Sequence, residues 1–323
     1  MLLPVLAVIA GLILLIWSAD KFIDGAAAIS RWLGLSPLLI GMLVIGFGTS
    51  APEMMVSVLA ALQGSPGLAV GNAYGSNIAN IGLVLGLVGL LAPLAVHSSV
   101  IRKEMPVLLA VTLLTGAVLL DGVVARWEAI LALLILGGFM GLSILQSRAQ
   151  KSDALVAEVS DTLNSQSMSG GVALGWTLIG LIVLIGSSRL LVWGAVEIAT
   201  AFGVSELVVG LTVVAIGTSL PELASSVSAL RRKEHDMVLG NVVGSNLFNT
   251  LGVVGLAGVI TPIDAGPEVL ARDWMVMTLM TVLMIVFAFS WRGRPRKINR
   301  LEGGILLAIF MAYTAYMVSV VIA

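Results

Sequence analysis

The chain has 323 residues, of which 59% are hydrophobic and 11% charged, with a mean hydropathy of +1.08. Soluble domains run nearer ~45–50% apolar and ~25% charged, so this is an integral membrane protein with the lipid bilayer as its solvent. The absence of cysteine excludes disulfides, thiolate metal sites and cysteine nucleophiles, and the net charge of −1 conceals a strong segregation of charge along the chain.

The first apolar run, Met1 to Ser18, lacks the basic start of a cleaved signal peptide and is predicted to be a retained span, continuing past Asp20, Lys21, Asp24 and Arg31 to Gly34. Spans are expected at Ser36–Leu62, Gly67–Ala95, Met105–Leu120 and Trp127–Leu145, which makes five. Gln146 to Gly170 is the one long polar stretch and is expected to be a linker, with room for a short surface helix. Val172–Thr200, Val204–Leu230, Met237–Ile260, Trp274–Trp291 and Leu301–Ala323 then make five more. The expected units are therefore residues 1–146, a cytoplasmic linker at 147–170, and residues 171–323.

With the amino terminus outside, the inner connections hold twelve cations: Arg102, Lys103, Arg148, Lys151, Arg231, Arg232, Lys233, Arg292, Arg294, Arg296, Lys297 and Arg300. The outer ones hold only Arg126 and Arg272. Cytoplasmic loops retain positive charge, so both termini are expected outside. The RRKEHD connection is part of that topology signal and not a nucleic-acid patch. His97 and His235 fall in short charged connections and offer no histidine site in the membrane core.

A repeat organises the whole. Shifted by 169 residues, Gly48–Gly89 matches Gly217–Gly258 at 18 of 42 positions without a gap, and the matches favour Gly, Thr, Ser, Pro, Glu and Asn. An odd number of spans per half forces the second copy to enter the membrane from the opposite side, so the predicted fold is all-α, with ten transmembrane helices as two inverted five-helix repeats. Gly34, Ser36 and Gly41 recur as Gly203, Ser205 and Gly210.

Each copy sets a carboxylate, Glu53 or Glu222, inside an apolar run, where an ionisable group is costly and marks a functional site. Gly46, Thr49, Ser50 and Glu53 share a helical face by their spacing, as do Ala215, Thr218, Ser219 and Glu222. Pro52 and Pro221 each remove a backbone N–H and free a carbonyl one turn earlier, which predicts broken helices at the midplane. Asn72, Ser76 and Asn80 lie four apart, like Asn241, Ser245 and Asn249. Carboxylates, amides, hydroxyls and carbonyls make an all-oxygen set suited to hard cations such as calcium. Ser57, Ser225, Ser226 and Ser228 read as helix serines bonded to backbone, and the glycine pairs Gly71/Gly75 and Gly240/Gly244 as close helix packing.

The GTSAPE and GTSLPE segments, each followed by GNxxGSN and a further Asn, resemble the alpha-repeats of the cation/calcium exchanger superfamily, and within it the prokaryotic sodium/calcium antiporters. That resemblance implies a metal-binding set of Gly46, Thr49, Ser50, Glu53, Ser76 and Asn80 from one half. Ala215, Thr218, Ser219, Glu222, Ser245 and Asn249 come from the other, with Gly46 and Ala215 contributing carbonyls. Some relatives, including potassium-dependent exchangers, carry Asp at the place of Asn249, and the amide argues against potassium cotransport. The implied activity is exchange of sodium for calcium across the cell membrane by alternating access, with no enzymatic step and no cofactor. A calcium/proton antiporter is the alternative; a channel, or an intramembrane hydrolase using Ser50 or Ser219, is more distant. No nucleic acid and no obligate protein partner is implied.

Overall fold

The computed structural model describes residues 2–33, 35–96, 103–154, 168–203, 215–289 and 297–322. His97, Arg102, Ser205, Gly210, Arg292, Arg294 and Arg296, most of the predicted linker and the first half of the predicted seventh span lie outside them. The described fold is helical. In chain order the helices are α1 (Leu2–Leu33), α2 (Pro37–Thr49), α3 (Ala51–Leu62), α4 (Gly67–Leu91), α5 (Met105–Asp121) and α6 (Arg126–Ala154). After them come α7 (Gly170–Ala201), α8 (Ala215–Thr218), α9 (Leu220–Arg231), α10 (His235–Ile260), α11 (Gly266–Ala288) and α12 (Arg300–Ile322).

Among the described residues seven helices are long and apolar enough to cross a membrane: α1, α4, α6, α7, α10, α11 and α12. The pair α2 and α3, bent by 44°, makes an eighth if counted as one span, and α5 is a shorter apolar helix. The expected fifth span, Trp127–Leu145, agrees with the apolar span Arg126–Gln146, and the helix itself runs on to Ala154. The added residues, QSRAQKSDA, contain neither Gly nor Pro and include several good helix formers.

Local chemistry sets the helix starts. Ser36 Oγ accepts from Leu39 N at 3.2 Å ahead of Pro37, and Asn299 and Glu302 exchange reciprocal cap bonds at 3.0 and 2.7 Å. Two short antiparallel strand pairs tie connections together. β1 (Leu94–Ala95) pairs with β4 (Lys297–Ile298), Leu94 opposite Ile298, and β2 (Val123–Val124) pairs with β3 (Ile263–Asp264), Val124 opposite Ile263.

The most deeply buried spans are α4 and α10, at 72% and 83% buried over their apolar windows against 17–28% for the other five. They cross antiparallel, with Asn77 against Thr250 and Asn80 against Asn246. The outer helices α1 and α7 also run antiparallel: a Cβ on Gly11 would meet Leu191, one on Gly25 would meet Thr177, and one on Gly180 would meet Phe22. Trp17 and Trp176 meet edge-on at 6.3 Å. Without a hydrophobic drive between helices in lipid, such small-residue contacts carry the packing.

Glycines also seat α2 on α10. A Cβ on Gly41 would stand 2.7 Å from the Met237 carbonyl, one on Gly46 2.9 Å from Ser245 N, and one on Gly244 2.6 Å from Met42 Cα. The expected packing role of Gly240 and Gly244 is therefore present. Gly71 and Gly75 differ: among the described residues nothing lies within 4 Å of their missing Cβ atoms, and both line a cavity.

Candidate functional site

The two glutamates stand at the starts of half-helices. The α2–α3 break falls at Ser50 (φ −83°, ψ −1°), with Pro52 and Glu53 in the first turn of α3. The α8–α9 break falls at Ser219 (φ −90°, ψ 4°), with Pro221 and Glu222 in the first turn of α9. Each carboxylate thus sits where the helix dipole is positive. Pro221 cannot donate to the Gly217 carbonyl, which accepts from Ser188 Oγ of α7 at 2.9 Å instead.

Both glutamates are 2% exposed, and their surroundings leave them unsatisfied. Among the described residues, Ser50 Oγ, both Glu53 carboxylate oxygens, Asn80 Oδ1, Ser219 Oγ, Glu222 Oε2 and Asn249 Oδ1 are buried with no hydrogen-bond partner, as is Asn249 Nδ2. The charge of Glu53 acts on Glu222, whose carboxylate also interacts with Thr49 of the opposite half. A buried unpaired acid is expensive, and two facing one another more so, unless something else answers them.

Asp273, a further buried acid that the sequence reading passed over, shows the contrast. It is 5% exposed, but Arg272 grips it through Nε at 2.7 Å and Nη2 at 3.0 Å, and Tyr313 Oη donates at 2.8 Å. Asp273 is a paired structural charge.

Other predicted residues gather around the glutamates. Thr49 Oγ1 donates to the Ile45 carbonyl at 2.9 Å and lies 3.3 Å from Asn241 Oδ1 and 3.5 Å from Ser245 Oγ. The Gly46 carbonyl, which the resemblance makes a ligand, accepts from Ser50 N at 3.1 Å and Ser245 Oγ at 3.3 Å. Asn80 Nδ2 donates to Asn246 Oδ1 at 3.1 Å, which turns Asn80 Oδ1 loose. Ser76 and Thr218 line a cavity of about 190 Å³ between α4, α8 and α12, together with Asn72, Phe310 and Tyr313. Ala215 lies in α8, four residues before Ser219.

Sequence reasoning missed two features. Asn80, Asn249 and Gly46 all lie in wide π-helical turns, Asn80–Leu85, Phe248–Val253 and Gly41–Gly46. Such turns recur at functional sites, and no pattern in the chain announced them. Second, the helix serines are not alike: Ser225 bonds the Pro221 carbonyl at 2.7 Å as expected and also accepts from Asn241 at 3.3 Å, Ser57 and Ser226 accept from Asn72 and Asn241, and Ser228 donates to Asp20 at 2.6 Å. The signal for those asparagines was present in the repeated GNxxGSN.

Over residues 3–145 and 172–319 the chain matches the sodium/calcium exchanger protein family. It belongs to that family. The chain is 45% identical over 319 residues to the putative antiporter CaxA of Alkalimonas amylolytica, covering 97% of this chain and 98% of that one. It is 29% identical over 342 residues to the sodium/calcium exchanger MaX1 of Methanosarcina acetivorans, with 95% and 96% covered. Its structure is similar to that of the sodium-calcium exchanger NCX_Mj, solved after soaking with zero Na+ and Ca2+, at a TM-score of 0.83 and 32% identity over 98% of this chain and 99% of that one.

Proposed function

We propose that this protein is a secondary active antiporter that exchanges sodium for calcium across the cell membrane, the two ions competing for one site around Glu53 and Glu222. The observation that carries the reading is the cluster of buried oxygens without partners among the described residues, drawn from both halves of the chain: Ser50, Glu53 and Asn80 with Ser219, Glu222 and Asn249. A doubly anionic, all-oxygen cluster suits calcium, which takes about six to eight oxygens in loose geometry. Two carboxylates offset one divalent charge. Thr49, Ser76, Thr218 and Ser245, with the carbonyls of Gly46 and Ala215, complete the proposed set. The names of MaX1 and NCX_Mj support the pair of ions.

The architecture we propose is ten spans in two inverted repeats, residues 1–146 and 171–323, joined by a cytoplasmic linker at 147–170, with both termini outside. The antiparallel crossings of α1 with α7 and of α4 with α10 support it, because corresponding members of an inverted repeat run oppositely. In that orientation the cavity beside Ser76 and Thr218 gives the site an outward approach, while the glycine-packed seam of α2 on α10 closes the inner one. Alternating access then exchanges which seam is closed. If charge moves per cycle, the membrane potential contributes about 2.3 kcal/mol per charge per 100 mV.

The test is calcium uptake by the purified protein in liposomes under an imposed sodium gradient. Uptake that follows the sodium gradient is the expected result. Uptake indifferent to sodium but driven by a pH gradient would replace sodium by the proton, and ion flow too fast for a carrier would replace the antiporter by a channel.

A further inference from the structure

Asn72 of α4 and Asn241 of α10 occupy equivalent places in the repeat and share two equivalent bonds, Asn241 Nδ2 having Ser225 Oγ as a further acceptor at 3.3 Å. Asn72 Nδ2 donates to the Glu53 carbonyl at 3.1 Å and to Ser57 Oγ at 3.0 Å. Asn241 Nδ2 donates to the Glu222 carbonyl at 3.1 Å and to Ser226 Oγ at 2.8 Å. Each amide therefore grips the first turn of a half-helix at the residue that bears the carboxylate. A helix that starts at a break has lost the backbone continuity that would aim it, so a lateral tie at that residue determines where the carboxylate stands. Asn241, 1% exposed, does more. Its Oδ1 lies 3.3 Å from Thr49 Oγ1 and 3.4 Å from Ser245 Oγ, joining the Glu222 backbone to a hydroxyl of the opposite half.

We propose that Asn72 and Asn241 are positioning residues for the cation site, holding Glu53 and Glu222 at the separation a shared ion requires, with Ser57 and Ser226 as second anchors. This rests on the reading of the Glu53 and Glu222 cluster as that site. Neither amide is assigned a contact with the ion. Residues that orient metal ligands are worth about ten- to a hundred-fold in affinity when removed.

The test uses Asn72→Asp and Asn241→Asp, which keep shape and the Oδ1 acceptor but turn the donor into an acceptor facing a carbonyl. The added negative charge by itself favours a cation, so weaker binding reports lost position. Two quantities are measured with calcium: the concentration that half-maximally raises the melting temperature of the detergent-solubilised protein, and KM and Vmax for sodium-driven uptake in liposomes. Both variants are expected to need about ten-fold more calcium in each assay, with Vmax reduced less than KM is raised.

A calcium dependence within two-fold of wild type, or a loss confined to Vmax or to the melting temperature without calcium, overturns the proposal. Should the Asp variants fail to fold, the double variant Ser57→Ala with Ser226→Ala removes one anchor in each half. A several-fold rise in KM is expected there, and an unchanged KM counts against the proposal. Wild-type protein that ignores calcium would instead overturn the cation site itself.

Discussion

Arg232, just beyond the end of α9, reaches across to α1, where its Nε donates to Asp24 Oδ1 at 2.7 Å. Its Nη1 donates to Asp20 Oδ1 at 3.0 Å and to Ser228 Oγ at 2.7 Å, and Ser228 Oγ donates to Asp20 at 2.6 Å. Arg231 adds a looser contact to Asp20 at 3.6 Å. Part-buried hydrogen bonds to charged groups contribute about 1.5–3 kcal/mol each at most, and the pair is exposed enough to be discounted from that. Arg232→Gln is expected to lower stability by about 1–2 kcal/mol. A melting temperature equal to wild type in detergent would show that the tie between α1 and α9 contributes nothing.

Glu53→Gln and Glu222→Gln are expected to abolish sodium-driven calcium uptake, a loss of at least about a hundred-fold, without destabilising the ion-free protein. The amide keeps the shape and removes a buried charge whose oxygens have no partner among the described residues, or lack one at Glu222 Oε2, so the ion-free fold gains or holds stability. Melting curves with and without calcium decide it. Full uptake in either variant would remove the site, and collapse of the ion-free fold would make the acid structural.

Asp273→Asn is expected to behave in the opposite way. It strips the bidentate partner from Arg272 and weakens the Tyr313 bond, at a cost of about 2–4 kcal/mol, with no direct effect on calcium affinity. A double-mutant cycle with Arg272→Gln measured by thermal melting checks the coupling, which should exceed about 1 kcal/mol.

Gly244→Ala would place a Cβ 2.6 Å from the Met42 Cα on another helix, and backbone cannot swing aside as a side chain can. Overpacking of that kind costs about 1–3 kcal/mol and should reduce exchange by parting α2 from α10. Gly138→Ala in α6, with nothing within 4 Å among the described residues, is the matched control and should melt as wild type does.

Much of this protein was legible before any coordinates. Backbone groups in lipid must be satisfied within the segment, so long apolar runs become helices whatever surrounds them, and α1, α4, α7 and α10 fall where hydropathy places them. The breaks at Ser50 and Ser219 follow from a proline two residues on. A carboxylate in an apolar run is costly wherever it lands, which singled out Glu53 and Glu222. These are local costs, fixed by a residue and its near neighbours in the chain.

What tertiary structure alone decided lies between residues some 40 to 210 positions apart. The glycine pairs Gly71/Gly75 and Gly240/Gly244 sit in the same motif, yet the second is wedged against α2 and the first faces a cavity. Asp20 and Asp24 acquired Arg232, Asp273 acquired Tyr313, and Asn80 acquired Asn246, while the two glutamates acquired, among the described residues, no partner that answers their charge. A sequence states which groups are expensive to bury. Only the packing of distant helices determines which of them are paid for within the protein and which are left without a partner.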